Sequence, residues 1–179
     1  MSNIFFISDT HFSHHNIIKY CYRPFSSIKE MDETIIENWN NTVKAGDLVY
    51  HLGDFAFVKT ADDLEKITKR LNGNIYLILG NHDRQIIKSS NKFVWKRDYA
   101  RIKVGSQKII LSHYAFRVWD CKHHGSYHLY GHSHGTLPDD EGSYSIDVGV
   151  DAQNFTPISF EQVVEIMGKK KVNLRKERK

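Results

Sequence analysis

The sequence predicts an α/β sandwich whose first sheet is largely parallel. Three observations carry that prediction. Apolar strand-like runs alternate with helical repeats through the first half of the chain, in the order βαβαβ. The second half is richer in strands. Finally, five apolar runs stop abruptly in polar clusters, and open α/β sheets build their sites outside the carboxyl ends of their strands. The runs are IFFISDTHF, LVYHLGDF, LILGNHDRQ, KIILSHY and YHLYGHSHG.

Each element has its own signal. The first strand spans about 3–8, rich in Ile and Phe. Ile28, Met31, Ile35, Ile36 and Trp39 recur at helical spacing and predict a helix over about 28–43. A strand follows at about 47–52. Thr60-Ala61-Asp62-Asp63 has the spacing of a capping box and opens a second helix, which Asn72-Gly73 ends. The next strand is 75–79, and residues 84–90 suit a short helix. Four more strands are expected at 99–104, 108–112, 127–130 and 143–148, the first two joined by a Gly105-Ser106 turn. Residues 120–126 and 138–143 read as surface loops. Ser159, with Gln162 three residues on, opens a last helix over about 159–167.

The 179 residues suffice for one domain with a full core, and 40% hydrophobic with 26% charged residues is an ordinary globular balance. No apolar run approaches the ~20 residues of a membrane span. The chain enters a strand almost at once, so no signal peptide is expected. Cys21 and Cys121 lie in no metal or disulfide motif, so a cytoplasmic location is expected. The net charge of +4 is local: residues 169–179 hold seven Lys/Arg and one Glu, whereas the rest holds 18 basic and 20 acidic residues. The chain therefore reads as a domain over 1–168 with a basic tail over 169–179. The tail could contact nucleic acid, but a solvated terminus is the favoured reading.

The strand-end clusters hold Asp9, His11, Asp54, Asn81, His113, His132 and His134. One histidine after a strand would be ordinary; five clusters with metal-competent side chains point to a shared centre. The donors are oxygen and nitrogen without cysteine, a set suited to Mn²⁺, Fe, Ni²⁺ or Zn²⁺ rather than to soft metals or calcium. Seven donors exceed the needs of one ion and suit two divalent ions sharing a carboxylate, with Mn²⁺ as first choice.

In order, Asp9-x-His11, Gly53-Asp54, Gly80-Asn81-His82-Asp83, His113 and Gly131-His132-x-His134 resemble the signature of the calcineurin-like metallophosphoesterases. SDTHFSHHNII and VYHLGDF are most similar to its small, single-domain bacterial and phage-type members. The resemblance implies a two-sheet β-sandwich flanked by helices. It implies that Asp9, His11 and His134 hold one metal, that Asn81, His113 and His132 hold a second, and that Asp54 bridges them. It makes His82 a proton donor or phosphate contact, with Asp83 holding its ring. The implied activity is hydrolysis of a phosphodiester or small phosphate ester, such as a nucleotide or cyclic nucleotide, by a metal-bridging hydroxide. Two alternatives stand beside it: a nuclease or RNA-end phosphatase using the basic tail, and a catalytically silent metal-binding scaffold.

Other residues have two readings. His14 and Arg23 are candidate substrate contacts, and Arg84 is a further candidate anion clamp; each has a structural or salt-bridge alternative. Tyr114 either lines the pocket or packs. His15 is expected in solvent, His51 inside its strand, and His123, His124 and His128 at the surface. Asp147 stands where many superfamily members have an Asn-x-Gly turn, and could bond the loop that carries the ligands.

Overall fold

The structure is a computed structural model that describes residues 2–174. In chain order come β1 (Ile4–Ile7), α1 (Ile17–Tyr20), α2 (Ile28–Thr42), β2 (Leu48–His51), α3 (Ala61–Thr68), β3 (Asn74–Ile78) and α4 (Gln85–Ser89). Then follow β4 (Lys96–Arg97), β5 (Tyr99–Val104), β6 (Gln107–Ser112), a 3₁₀ turn at Lys122–His124, β7 (Tyr127–Tyr130), β8 (Ser145–Asp147), β9 (Ile158–Ser159) and α5 (Phe160–Lys169).

Two sheets, with helices at their flanks, form the sandwich. The first has the order β4-β3-β2-β1-β9, parallel except for β9. The second has the order β5-β6-β7-β8, where β5 and β6 form an antiparallel hairpin and β6, β7 and β8 run parallel. The sheets meet at Ser8, whose N–H donates to Val148 O at 3.1 Å and whose carbonyl accepts from Val150 N at 3.0 Å.

Alternation along the strands places the core on both faces of the first sheet. Phe5 and Ile7 of β1 pack on the helix side with Met31, Ile35 and Trp39 of α2 and Leu64 and Ile67 of α3. Phe6 faces the other way, into a layer with Ile109, Leu111, Leu129 and Ile146 of the second sheet and Val163 and Met167 of α5. Burial on both faces explains why these strands read as continuous apolar runs. Both expected caps form: the Thr60 hydroxyl accepts from Asp63 N at 3.1 Å, and Ser159 and Gln162 cap α5 reciprocally.

Three short elements escape the sequence reading: α1, β4 and β9. None exceeds four residues, too few to establish a period. The tail expectation is refined. α5 runs to Lys169, and Lys170 Nζ pairs with Asp139 at 2.6 Å while Lys171 pairs with Glu141 at 3.2 Å. These cations lie against the chain's own acidic loop. Residues 175–179 of the expected tail lie outside the described residues.

Candidate metal centre

Parallel pairing sets the ends of β1, β2 and β3 side by side, with Ile7 opposite His51 and His51 opposite Leu77. The loops beyond them are tied by main-chain bonds: Asp9 N to Gly53 O and His11 N to Asp54 O, both 3.0 Å. The second sheet adds His113 after β6 and His132 and His134 after β7. Gly131 N bonds His113 O at 3.0 Å, and His132 N bonds Asp9 Oδ2 at 2.9 Å. All five polar clusters thus converge at one end of the sandwich.

The donors form two compact groups, Asp9 with His11 and His134, and Asp54 with His113 and His132. In each group the ligand atoms lie within 4.8 Å of one another. Asp54 joins the groups, because its Oδ2 lies 3.5 Å from both His11 Nε2 and His113 Nε2. Asn81 sits beside the second group, with Oδ1 3.0 Å from His113 Nε2.

The residues fit divalent cations on three counts. First, Asp9 Oδ1 and His11 Nε2 are buried and have no hydrogen-bond partner, although buried polar atoms are almost always satisfied. Second, His113 Nδ1 lies 2.8 Å from Leu52 O, and a carbonyl only accepts, so Nδ1 carries the proton. Nε2 then faces two further acceptors, Asn81 Oδ1 and Asp54 Oδ2, so either a second ring proton, which the carboxylates favour by raising the His113 pKa against its burial, or a metal ion must lie between them. Such convergence of acceptors calls for a cation. Third, burial pushes the Asp9 carboxyl up to about 7 and the His11 imidazole down to about 2. The Asp9 carboxylate is costly to bury without a positive charge nearby, and the neutral His11 imidazole keeps a lone pair free for a metal ion. Burial would also raise Asp54, but in the metal-free site the bond and charge of a protonated His113, with the His82 amide, take it down to about 2.

Backbone strain marks the same atoms. Asp9, His11, Asp54, His132 and His134 all adopt left-handed backbone, with φ between 47° and 66°. Non-glycine residues pay for this conformation, and it gathers where the surrounding structure imposes a function. Close approach adds a second constraint. A Cβ on Gly80 would overlap Asp54 Oδ1 and lie 2.5 Å from Asp54 N. The turn after β3 therefore needs glycine for contact with Asp54 rather than for a positive φ. Gly80→Ala is expected to lower stability by roughly 1–3 kcal/mol and to weaken metal binding by displacing Asp54. Thermal unfolding with and without Mn²⁺ checks both effects.

Several expected roles change. Asp83 does not hold the His82 ring. Its carboxylate turns back to accept from Gly80 N (2.8 Å), Phe55 N (2.9 Å) and Asp54 N (3.0 Å), locking the loop that carries Asn81 and His82 to the one that carries Asp54. Arg23 is not an anion clamp. It is buried, and its N–H groups reach Asp151, Asp9 O, Thr10 O and the Met31 sulfur. His128 is a core residue rather than a surface one: Nδ1 faces Ile110 O, Nε2 accepts from Phe116 N, and the ring stacks on Phe116.

The remaining positions follow expectation more closely. His82 is exposed at the open face, its ring 5.5 Å from that of His11. His14 lies 5.3 Å from His11 and 4.4 Å from Phe57, ring to ring, and its Nδ1 has no partner. His51 is buried against Thr10 Oγ1, and His15, His123 and His124 are exposed. Tyr114 lies over the second group, its ring 4.7 Å from His132. Asp147 bonds Gly135 N and Gly149 N, so it braces the loop after His134.

Sequence reasoning missed Asp151. Its carboxylate lies 2.7 Å from His134 Nδ1 and takes a two-pronged bond from Arg23. A carboxylate on one ring nitrogen fixes the tautomer and raises the basicity of the other. Burial would lower the His134 pKa, but this contact lifts it to about 10. Only the DVGVD stretch, already notable at Asp147, hinted at the residue.

The model of the calcineurin-like phosphoesterase superfamily domain matches residues 2–149. An uncharacterised protein of Methanocaldococcus jannaschii, MJ1445, is 38% identical over 178 residues, covering 96% of this chain and 95% of its own length. The gene 66 protein of Mycobacterium phage D29 is 29% identical over 164 residues, 76% of this chain and 81% of that protein. Among solved structures, AQ665 of Aquifex aeolicus, a protein of unknown function, superposes with a TM-score of 0.73 at 25% identity, over 93% of this chain and all of that one. With the family domain matched over most of its length, and with the signature side chains gathered at one end of a two-sheet sandwich, the chain belongs to the calcineurin-like phosphoesterase superfamily.

Proposed function

We propose that the protein hydrolyses a phosphate ester, a phosphodiester in preference to a monoester, at a site holding two divalent metal ions, Mn²⁺ foremost. Asp9, His11 and His134 would hold one ion, and Asn81, His113 and His132 the other, with Asp54 shared between them. The observation that carries this reading is Asp54 Oδ2, equidistant at 3.5 Å from the Nε2 atoms of His11 and His113. When bound, such ions polarise a phosphoryl oxygen and lower the pKa of bound water towards ~7.

The chain's own residues supply the rest. Asp151 and the Leu52 carbonyl fix the rings of His134 and His113. Asp83 holds the loop of residues 80–83 against Asp54, so His82 stays at the open face. There His82 gives a proton to the leaving oxygen as its bond to phosphorus breaks, or donates a hydrogen bond to a phosphoryl oxygen. Asn81, His82 and His132 are all exposed, so the centre is open. Openness favours a small or flexible substrate, a nucleotide or cyclic nucleotide among them.

A nuclease gripping its substrate with the tail is disfavoured, because Lys170 and Lys171 are paired with Asp139 and Glu141. A silent scaffold is disfavoured because both ligand groups and His82 are intact. No helix among the described residues is long and apolar enough to cross a membrane; the cytoplasmic location we propose rests instead on the two free cysteines, Cys21 and Cys121.

The test is hydrolysis of a chromogenic phosphodiester beside the matching monoester, by stripped protein and after adding Mn²⁺, Ni²⁺ or Zn²⁺. Diester cleavage restored by metal is expected. Monoester cleavage alone would reverse the substrate preference, and inactivity on both despite bound metal would turn the reading towards a scaffold.

A further inference from the structure

The two candidate anion clamps of the sequence end in opposite situations. Arg23 is buried, and its donors are engaged by Asp151, two carbonyls and a sulfur. Arg84 is exposed, and among the described residues it donates no hydrogen bond and has no carboxylate partner. Its guanidinium carbon lies over the Phe57 ring, 3.8 Å from the centroid.

That contact has a chemical consequence. A guanidinium resting on an aromatic ring uses its face, while its five N–H groups lie along its edge. Stacking therefore positions the charge and leaves the fork free. Lysine cannot do this, because its ammonium has no face. The location is equally specific. The Phe57 ring lies 4.4 Å from His14, and His14 lies 5.3 Å from His11 and 6.2 Å from His82. A run of touching rings thus links Arg84 to the first ligand group. Its main chain directly follows Asp83, whose carboxylate is bonded to the amides of Gly80, Asp54 and Phe55. The backbone that carries Arg84 is therefore fixed relative to the centre.

We propose that Arg84, held on Phe57, is the phosphate-binding cation of this site. Its N–H edge takes the phosphoryl oxygens that face away from the ligand groups, setting substrate orientation beside His82. The inference deepens the phosphoesterase reading and rests on it. It also separates two tasks: Arg84 binds and orients the phosphate group, whereas His82 acts at the reacting bond in one of its two proposed roles.

The test is calorimetric titration of inorganic phosphate into Mn²⁺-loaded wild type, Arg84→Met, Arg84→Lys and Phe57→Leu, with melting temperature and bound metal measured alongside. A charge-assisted hydrogen-bonded contact predicts roughly tenfold or more weaker phosphate binding in Arg84→Met. Arg84→Lys should recover part of the loss, and Phe57→Leu should lose less than Arg84→Met. Metal content should match wild type in all four. With the chromogenic diester, the defect should fall mainly on KM. Equal phosphate affinity in wild type and Arg84→Met would overturn the proposal, as would a metal-loaded wild type that binds no phosphate. A wild type that binds phosphate through Arg84 yet cleaves neither ester would instead sink the phosphoesterase reading alone.

Discussion

Asp54→Asn is expected to lose both metal ions and, with them, hydrolysis. Asp54 is 1% exposed, and its two oxygens have separate duties. Oδ1 accepts from the His82 amide at 2.8 Å, whereas Oδ2 lies between the two ligand groups. Asparagine can keep the first contact. It then places a neutral NH₂ donor between His11 and His113, where the proposed arrangement needs a shared anion. Charge stabilisation by bound metal is worth several kcal/mol, and each 1.36 kcal/mol is a factor of ten in rate, so activity should fall at least about a thousandfold. Elemental analysis after gel filtration, paired with the diester assay, checks this. A variant that keeps its metal and its rate would remove Asp54 from the bridging role.

His82→Ala should do the opposite to the metal. The His82 side chain belongs to neither ligand group, and its bond to Asp54 runs through the main chain, which alanine retains. Metal content should therefore match wild type while turnover falls by roughly 10²–10⁴, the usual worth of a positioned proton donor. The leaving group tells the two possible roles apart. A nitrophenolate needs little protonation, so a proton-donor defect should shrink with it and grow with an alkyl leaving group. A defect independent of the leaving group would make His82 a phosphate contact. Full activity in the variant would exclude both.

The fold and the gathering of metal-competent side chains at the strand ends were legible in the sequence because one physical feature encodes both. Central parallel strands are buried on two faces, so they appear as apolar runs, and polar side chains following such runs must lie at the rim of the sheet. Asp9, His11, Asp54, Asn81, His113, His132 and His134 were all visible on that ground. The supporting residues were hidden for a different reason. Arg23 and Asp151 are 128 positions apart, and nothing local in either stretch announces the pair. Asp83 was misjudged because it is adjacent to His82 in sequence. The turn points the two side chains apart, and the main-chain amides of residues 54, 55 and 80 claim the carboxylate. His128 was misplaced through its loop-like, histidine-rich neighbourhood, although alternation within β7 sends it inward beside Ile110.

The most direct test of the dinuclear centre is a count of ions. Stripped protein would be titrated calorimetrically with Mn²⁺, and the bound metal then quantified per chain. Two ions per chain are expected in wild type and none held tightly in Asp54→Asn. A single ion in wild type, or two ions that survive Asp54→Asn, would contradict a centre in which Asp54 joins two groups of ligands.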